Sequence, residues 1–133
     1  MEVYYWEKCI MWTVTYYQMI NGRLYVNNYG PWTSQQAAQT AINNLQFPGQ
    51  GYYITPVYQT LAMSGGRPRE PATVIVGQYV VVYVTTDTPP ATSGAGTFAS
   101  EEAAQAWIAD RPAYIRQNLY ALQVRSTAAM AGR

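Results

Sequence analysis

The chain carries one passage twice. Residues 30–42, Gly-Pro-Trp-Thr-Ser-Gln-Gln-Ala-Ala-Gln-Thr-Ala-Ile, align without gaps on residues 96–108, Gly-Thr-Phe-Ala-Ser-Glu-Glu-Ala-Ala-Gln-Ala-Trp-Ile, with six of thirteen positions identical. Further on, residues 52–60 (YYITPVYQT) answer residues 119–127 (LYALQVRST) after a shift of one, matching at Tyr, Val and Thr. Repetition constrains architecture because each copy must adopt the same supersecondary unit. A length of 133 residues is that of one ordinary domain, so the two copies must share a core.

Local signals fill in each copy. Residues 12–20 and 23–29 are rich in β-branched and aromatic side chains and flank Asn21-Gly22; this predicts a hairpin with a type I′ turn, which needs positive φ at both central positions. Thr33 or Ser34 then caps a helix whose apolar face is Ala37, Ala38, Ala41, Ile42 and Leu45, ended by Pro48-Gly49 and Gly51. Residues 52–60 return as a strand. In the second copy the valine-rich run over residues 73–86 reads as a long strand covered on at least one face. Residues 87–96, rich in Pro, Thr, Ser and Gly, read as a loop replacing much of the second strand. Ser100 caps a helix with Glu101 and Glu102 in its first turn, Arg111-Pro112 ends it, and residues 119–127 form the last strand.

The expected organisation is a single domain: pseudo-repeat one over residues 12–60, a polar linker over 61–72, pseudo-repeat two over 73–127 and a loose tail over 128–133. The expected fold is α+β. Two β-β-α-β units would form a ferredoxin-like sandwich, a mainly antiparallel sheet with both helices on one face and the other face open.

Composition removes much chemistry. The chain has no histidine and one cysteine, Cys9, so histidine-dependent nucleophilic relays, histidine metal ligation and cysteine zinc sites are excluded. Cys9 reads as a small buried hydrophobe. No cofactor or metal is expected. Gly94-Ala-Gly96-Thr-Phe-Ala99 fits a dinucleotide fingerprint in letters, but a loop separates it from the preceding strand and no β-α-β alternation follows. Arg67 and Arg69 beside Glu70 are a weak basic patch in a chain of net charge +1, which disfavours nucleic acid as a partner. No signal peptide and no membrane span is read. The expected location is the cytoplasm or an assembled particle such as a virion.

What remains is an aromatic, weakly charged surface. Only 11% of residues are charged, while 13 are tyrosine. Tyr17, Tyr25, Tyr29, Tyr79 and Tyr83 are the candidate interface, because alternation puts tyrosines on both faces of the predicted strands and only one face has helices over it.

The repeated stretch Tyr29-Gly-Pro-Trp-Thr-Ser-Gln-Gln-Ala-Ala-Gln-Thr-Ala-Ile-Asn-Asn-Leu45, followed by Gly51-Tyr-Tyr-Ile-Thr-Pro-Val57, resembles SPOR domains. Its echo from Gly96 through Phe98, Ser100, Ala103 and Ala104 to Trp107 repeats that pattern. The resemblance implies a ferredoxin-like fold and binding of peptidoglycan glycan. The leading expectation is a non-catalytic interaction or assembly protein of viral or phage type, docking through tyrosines onto copies of itself or onto a host protein. The alternative is a SPOR-like carbohydrate-binding module. An enzyme built on carboxylates ranks third.

Overall fold

The computed structural model describes residues 11–45, 51–58 and 74–131. The expected linker with Arg67 and Arg69, the helix stop at Pro48-Gly49, and Cys9 lie outside the described residues. Six strands and four short helices follow in order: β1 (Met11–Ile20), β2 (Arg23–Trp32), α1 (Gln35–Asn43), β3 (Tyr52–Tyr58), β4 (Tyr79–Val84), β5 (Thr92–Phe98), α2 (Glu101–Ala109), α3 (Ala113–Arg116), β6 (Leu119–Arg125) and α4 (Thr127–Ala131). The strands close into a barrel in the order β1-β2-β6-β4-β5-β3.

Each half builds the same three-stranded ladder. β1 lies antiparallel between β2 and β3, and β4 lies antiparallel between β5 and β6. Registers coincide across the repeat: Val14 opposite Tyr29 and Ile54 corresponds to Val81 opposite Ala95 and Ala121. Even the irregularities match, with a register shift between Trp12 and Val14 in one half and between Tyr79 and Val81 in the other. Such bulges bend a strand and raise its twist, which helps a small sheet curl shut. Two short parallel seams join the halves, Asn28–Val124 with Tyr29–Arg125, and Val57–Gly94 with Tyr58–Ala95. The halves are thus related by a pseudo-twofold along the barrel axis.

This corrects the ferredoxin-like expectation. An open sheet with helices on one face leaves alternate residues on the other face to solvent, whereas here consecutive residues are buried: Thr13, Val14, Thr15 and Tyr16 in β1, and Val80, Val81 and Val82 in β4. One set points into the barrel and the other lies beneath a helix. The helices also occupy different sides, each covering its own half. Ala38 and Ile42 of α1 pack with Val14, Tyr16 and Tyr29, while Ala104 and Ile108 of α2 pack with Val81 and Phe98. Of the two caps offered for the first helix, Thr33 in a box with Gln36 or Ser34, the structure uses Ser34, and the second helix starts at Ser100 as expected; each hydroxyl accepts from the backbone N–H three residues on.

Three local expectations change. The valine run is a strand only from Tyr79. Residues 92–98, read mostly as loop, form β5, and Gly94 sits in a seam where an added Cβ would lie 3.1 Å from Val57 Cγ2. Residues read as a tail form α4, capped by the Ser126 hydroxyl, which accepts from Ala129 N–H at 3.2 Å. Met130 of α4 is buried against the core of the first half. The hairpin turn is as read, with Asn21 at φ 52° and Gly22 at φ 78°.

The barrel interior has two unlike walls. One is apolar, formed by Val57, Val80, Val82, Val84, Val124 and Leu122. The other is a hydrogen-bonded belt running over four adjacent strands. Asn28 Nδ2 donates to Thr13 Oγ1 and Thr15 Oγ1, both at 3.1 Å. Thr15 Oγ1 is 2.6 Å from Thr55 Oγ1, which is 2.7 Å from Thr92 Oγ1. Thr92 Oγ1 donates onward to the Ile54 carbonyl at 3.3 Å. The Asn28 amide nitrogen can only donate, so Thr13 and Thr15 accept from it, while in each of the two hydroxyl pairs either oxygen can be the donor and Thr55 Oγ1 also reaches the Tyr53 carbonyl at 3.4 Å.

Candidate functional site

The first hairpin outgrows its barrel. β1 and β2 have ten residues each, against six in β4 and seven in β5. The β1–β3 ladder stops at Tyr16–Tyr52, and β2 meets β6 only at Asn28 and Tyr29. Residues 17–26 therefore pair chiefly with each other, as a two-stranded arm anchored at its root by Tyr17 N–H donating to the Gly51 carbonyl at 2.7 Å. At the arm's tip Met19 is 61%, Ile20 40% and Tyr25 37% exposed. The Arg23 guanidinium lies 5.2 Å from the Tyr25 ring centroid, the geometry of a cation–π contact. The matching hairpin of the second half turns through Asp87, Thr88 and Pro89 instead, all exposed.

At the root of the arm, the upper barrel interior holds two stacked phenols. Tyr17 and Tyr120 have ring centroids 5.8 Å apart, edge to face. Burial, followed by the hydrogen bond and charge of Tyr17, pushes Tyr120 up to about 12. Tyr120 is therefore a neutral phenol at any physiological pH.

The five candidate tyrosines do not form one patch. Tyr25 is on the outer face of the arm and Tyr17 on its inner face, leading into the barrel. Tyr29 is buried beneath α1. Tyr79 and Tyr83 are on the outer face of β4, in the other half, half-buried, with Tyr79 against the α2 core. Closure of the barrel removes the open sheet face on which they would have lined up. Sequence reasoning passed over Met19 and Ile20; the available signal was two apolar residues directly before an Asn-Gly turn, a place where a long hairpin leaves its body. It also passed over Tyr120 and over Tyr114 of α3, which is 75% exposed.

Among the described residues no group of three His, Cys, Asp or Glu side chains is placed to hold a metal ion. Glu101 and Glu102 sit in the first turn of α2, where their charge favours the helix dipole. No helix of the described residues is long and apolar enough to cross a membrane. The chain matches no protein-family model, no curated protein and no solved structure, so the functional reading rests on its own geometry.

Proposed function

We propose that this is a non-catalytic interaction or assembly protein whose contact surface is the arm end of the barrel. The observation that carries the reading is the exposure of Met19, Ile20 and Tyr25 on a projecting ribbon, Ile20 and Tyr25 on one face and Met19 on the other, while the rest of the hairpin is committed to the barrel. Apolar side chains on a hydrogen-bonded protrusion lose hydration when they dock and order little new chain in doing so. The reading is tested with a photo-crosslinking phenylalanine analogue at Tyr25 and, as control, at Gln39 on the exposed face of α1. Adducts formed preferentially from position 25, with purified chain or with extract added, support it; equal yields at both positions overturn it.

Glycan binding, which the likeness to SPOR domains implies, would fall on the same exposed ring. Arg23 lies over one face of the Tyr25 ring, 5.2 Å from its centroid. Retention on peptidoglycan that Tyr25→Ala abolishes would favour the glycan reading.

A further inference from the structure

We propose that Asn21-Gly22, the tip of the arm, is a self-modification site at which the asparagine closes on the glycine nitrogen and reopens as aspartate or isoaspartate. Water is the only co-reactant. A base takes the Gly22 N–H proton, the nitrogen attacks Asn21 Cγ, and the C–N bond of the side-chain amide breaks, releasing ammonia and leaving a five-membered imide. Water then opens the imide at Cγ, giving aspartate, or at the backbone carbonyl, giving isoaspartate.

The turn supplies the geometry. Ring closure needs the Gly22 nitrogen eclipsed with Asn21 Cβ about the Cα–C bond, a ψ of about −120°, which with a φ of about +60° is the first central position of a type II′ turn. Asn21 already has φ 52°, with Gly22 at φ 78°. This type I′ turn differs from type II′ by a flip of the single peptide plane between the two residues. Both turns match the twist of the flanking strands, so the flip leaves the Ile20–Arg23 rung in place. Glycine at the second position tolerates the change in sign of φ that the flip brings. The attack is also unobstructed: both residues are exposed, and a Cβ added to Gly22 would meet nothing within 4 Å. The other asparagines lack these conditions. Asn28 is fully buried, its amide held by Thr13 and Thr15. Asn27, Asn43, Asn44 and Asn118 precede Asn, Asn, Leu and Leu, whose side chains crowd the attacking nitrogen.

Conversion alters the arm. Aspartate sets a carboxylate two residues from Arg23, whose guanidinium lies over Tyr25. Isoaspartate adds a backbone carbon to the turn, so that it no longer closes the Ile20–Arg23 rung as a two-residue loop. That a contact surface is rewritten as the molecule ages rests on the arm reading, whereas the conversion itself does not.

The test ages the full chain at mildly alkaline pH, folded in buffer and unfolded in guanidinium side by side. Peptides are followed by mass spectrometry for a gain of about one dalton, with electron-transfer fragmentation to separate aspartate from isoaspartate. Expected is conversion at Asn21 ahead of every other asparagine, and no more slowly in the folded chain than in the unfolded one. Were the Ile20–Arg23 and Met19–Leu24 rungs first to unzip, the folded chain would lag by about tenfold or more. Such a lag overturns the proposal, as does earlier conversion at any other asparagine or none at Asn21.

Discussion

Thr15→Val should destabilise the fold although it installs the very residue found at the equivalent place in the second half, Val82. The swap preserves shape, so no cavity opens. It removes one hydroxyl on which two buried groups depend: Asn28 Nδ2 donates to it at 3.1 Å, and Thr55 Oγ1 is paired with it at 2.6 Å. Thr13, Thr15, Asn28 and Thr55 are all fully buried, so water does not replace the lost partner. The Asn28 N–H left without an acceptor costs about 1–3 kcal/mol, while Thr55 Oγ1 keeps Thr92 Oγ1 at 2.7 Å, for a net loss of about 2–3 kcal/mol. At about 4 °C per kcal/mol for a domain of this size, the midpoint should fall by roughly 10 °C. Urea unfolding followed by tryptophan fluorescence, with thermal melts in parallel, measures both. Converting the whole belt, with Thr13, Thr15, Asn28, Thr55 and Thr92 all changed to valine, should cost much less than the sum of the single changes, because no partner is then left unpaired. A Thr15→Val protein as stable as wild type would refute the belt's contribution to stability.

Ser34→Ala and Ser100→Ala should each cost about 1 kcal/mol in chemical denaturation, since each hydroxyl holds the first turn of its helix, at 3.0 Å from Ala37 N and 3.1 Å from Ala103 N. Gly94→Ala should cost about 1–3 kcal/mol in the same assay, because its methyl would press on Val57 Cγ2 at 3.1 Å within a seam where the backbone has little room to yield. Tyr120 releases its proton near 10 in the unfolded chain and at about 12 in the folded one. Its contribution to stability is therefore fully present below pH 10 and lost as pH rises from 10 through 12. Absorbance titration at the tyrosinate band should show the late Tyr120 phenol, and Tyr17→Phe should move it back toward 10.

Local signals carried most of the element list and little of the closure. The Asn21-Gly22 turn, the two serine caps and the duplicated unit were readable because each is fixed by neighbours a few residues apart. The seams were not, because nothing local distinguishes a strand that ends at a sheet edge from one that meets a parallel partner 37 or 96 residues away, as Val57 meets Gly94 and Asn28 meets Val124. The useful hint was the unbroken burial potential of Val80-Val-Val82, which a sheet with one open face cannot accommodate. β5 was hidden because Thr92, Gly94 and Gly96 look like loop residues, yet Gly94 is required by the close approach of β3. For the candidate site, aromatic content drew attention to Tyr29 and Tyr79, which are spent on packing. The exposed Met19 and Ile20 have no unusual composition and are distinguished only by their position on a hairpin longer than its barrel.

Among the described residues, two bridging residue pairs on each side are the only ladder contacts that bind one half to the other. Every other rung of the barrel can form inside a single half, so the cost of bringing distant stretches of chain together is concentrated at two narrow zippers. Those zippers should be the last hydrogen bonds to close in folding and the first to open under native conditions. Amide exchange at Asn28, Tyr29, Val57 and Tyr58 would report that breathing directly, against the slower exchange expected at the centres of β1 and β4.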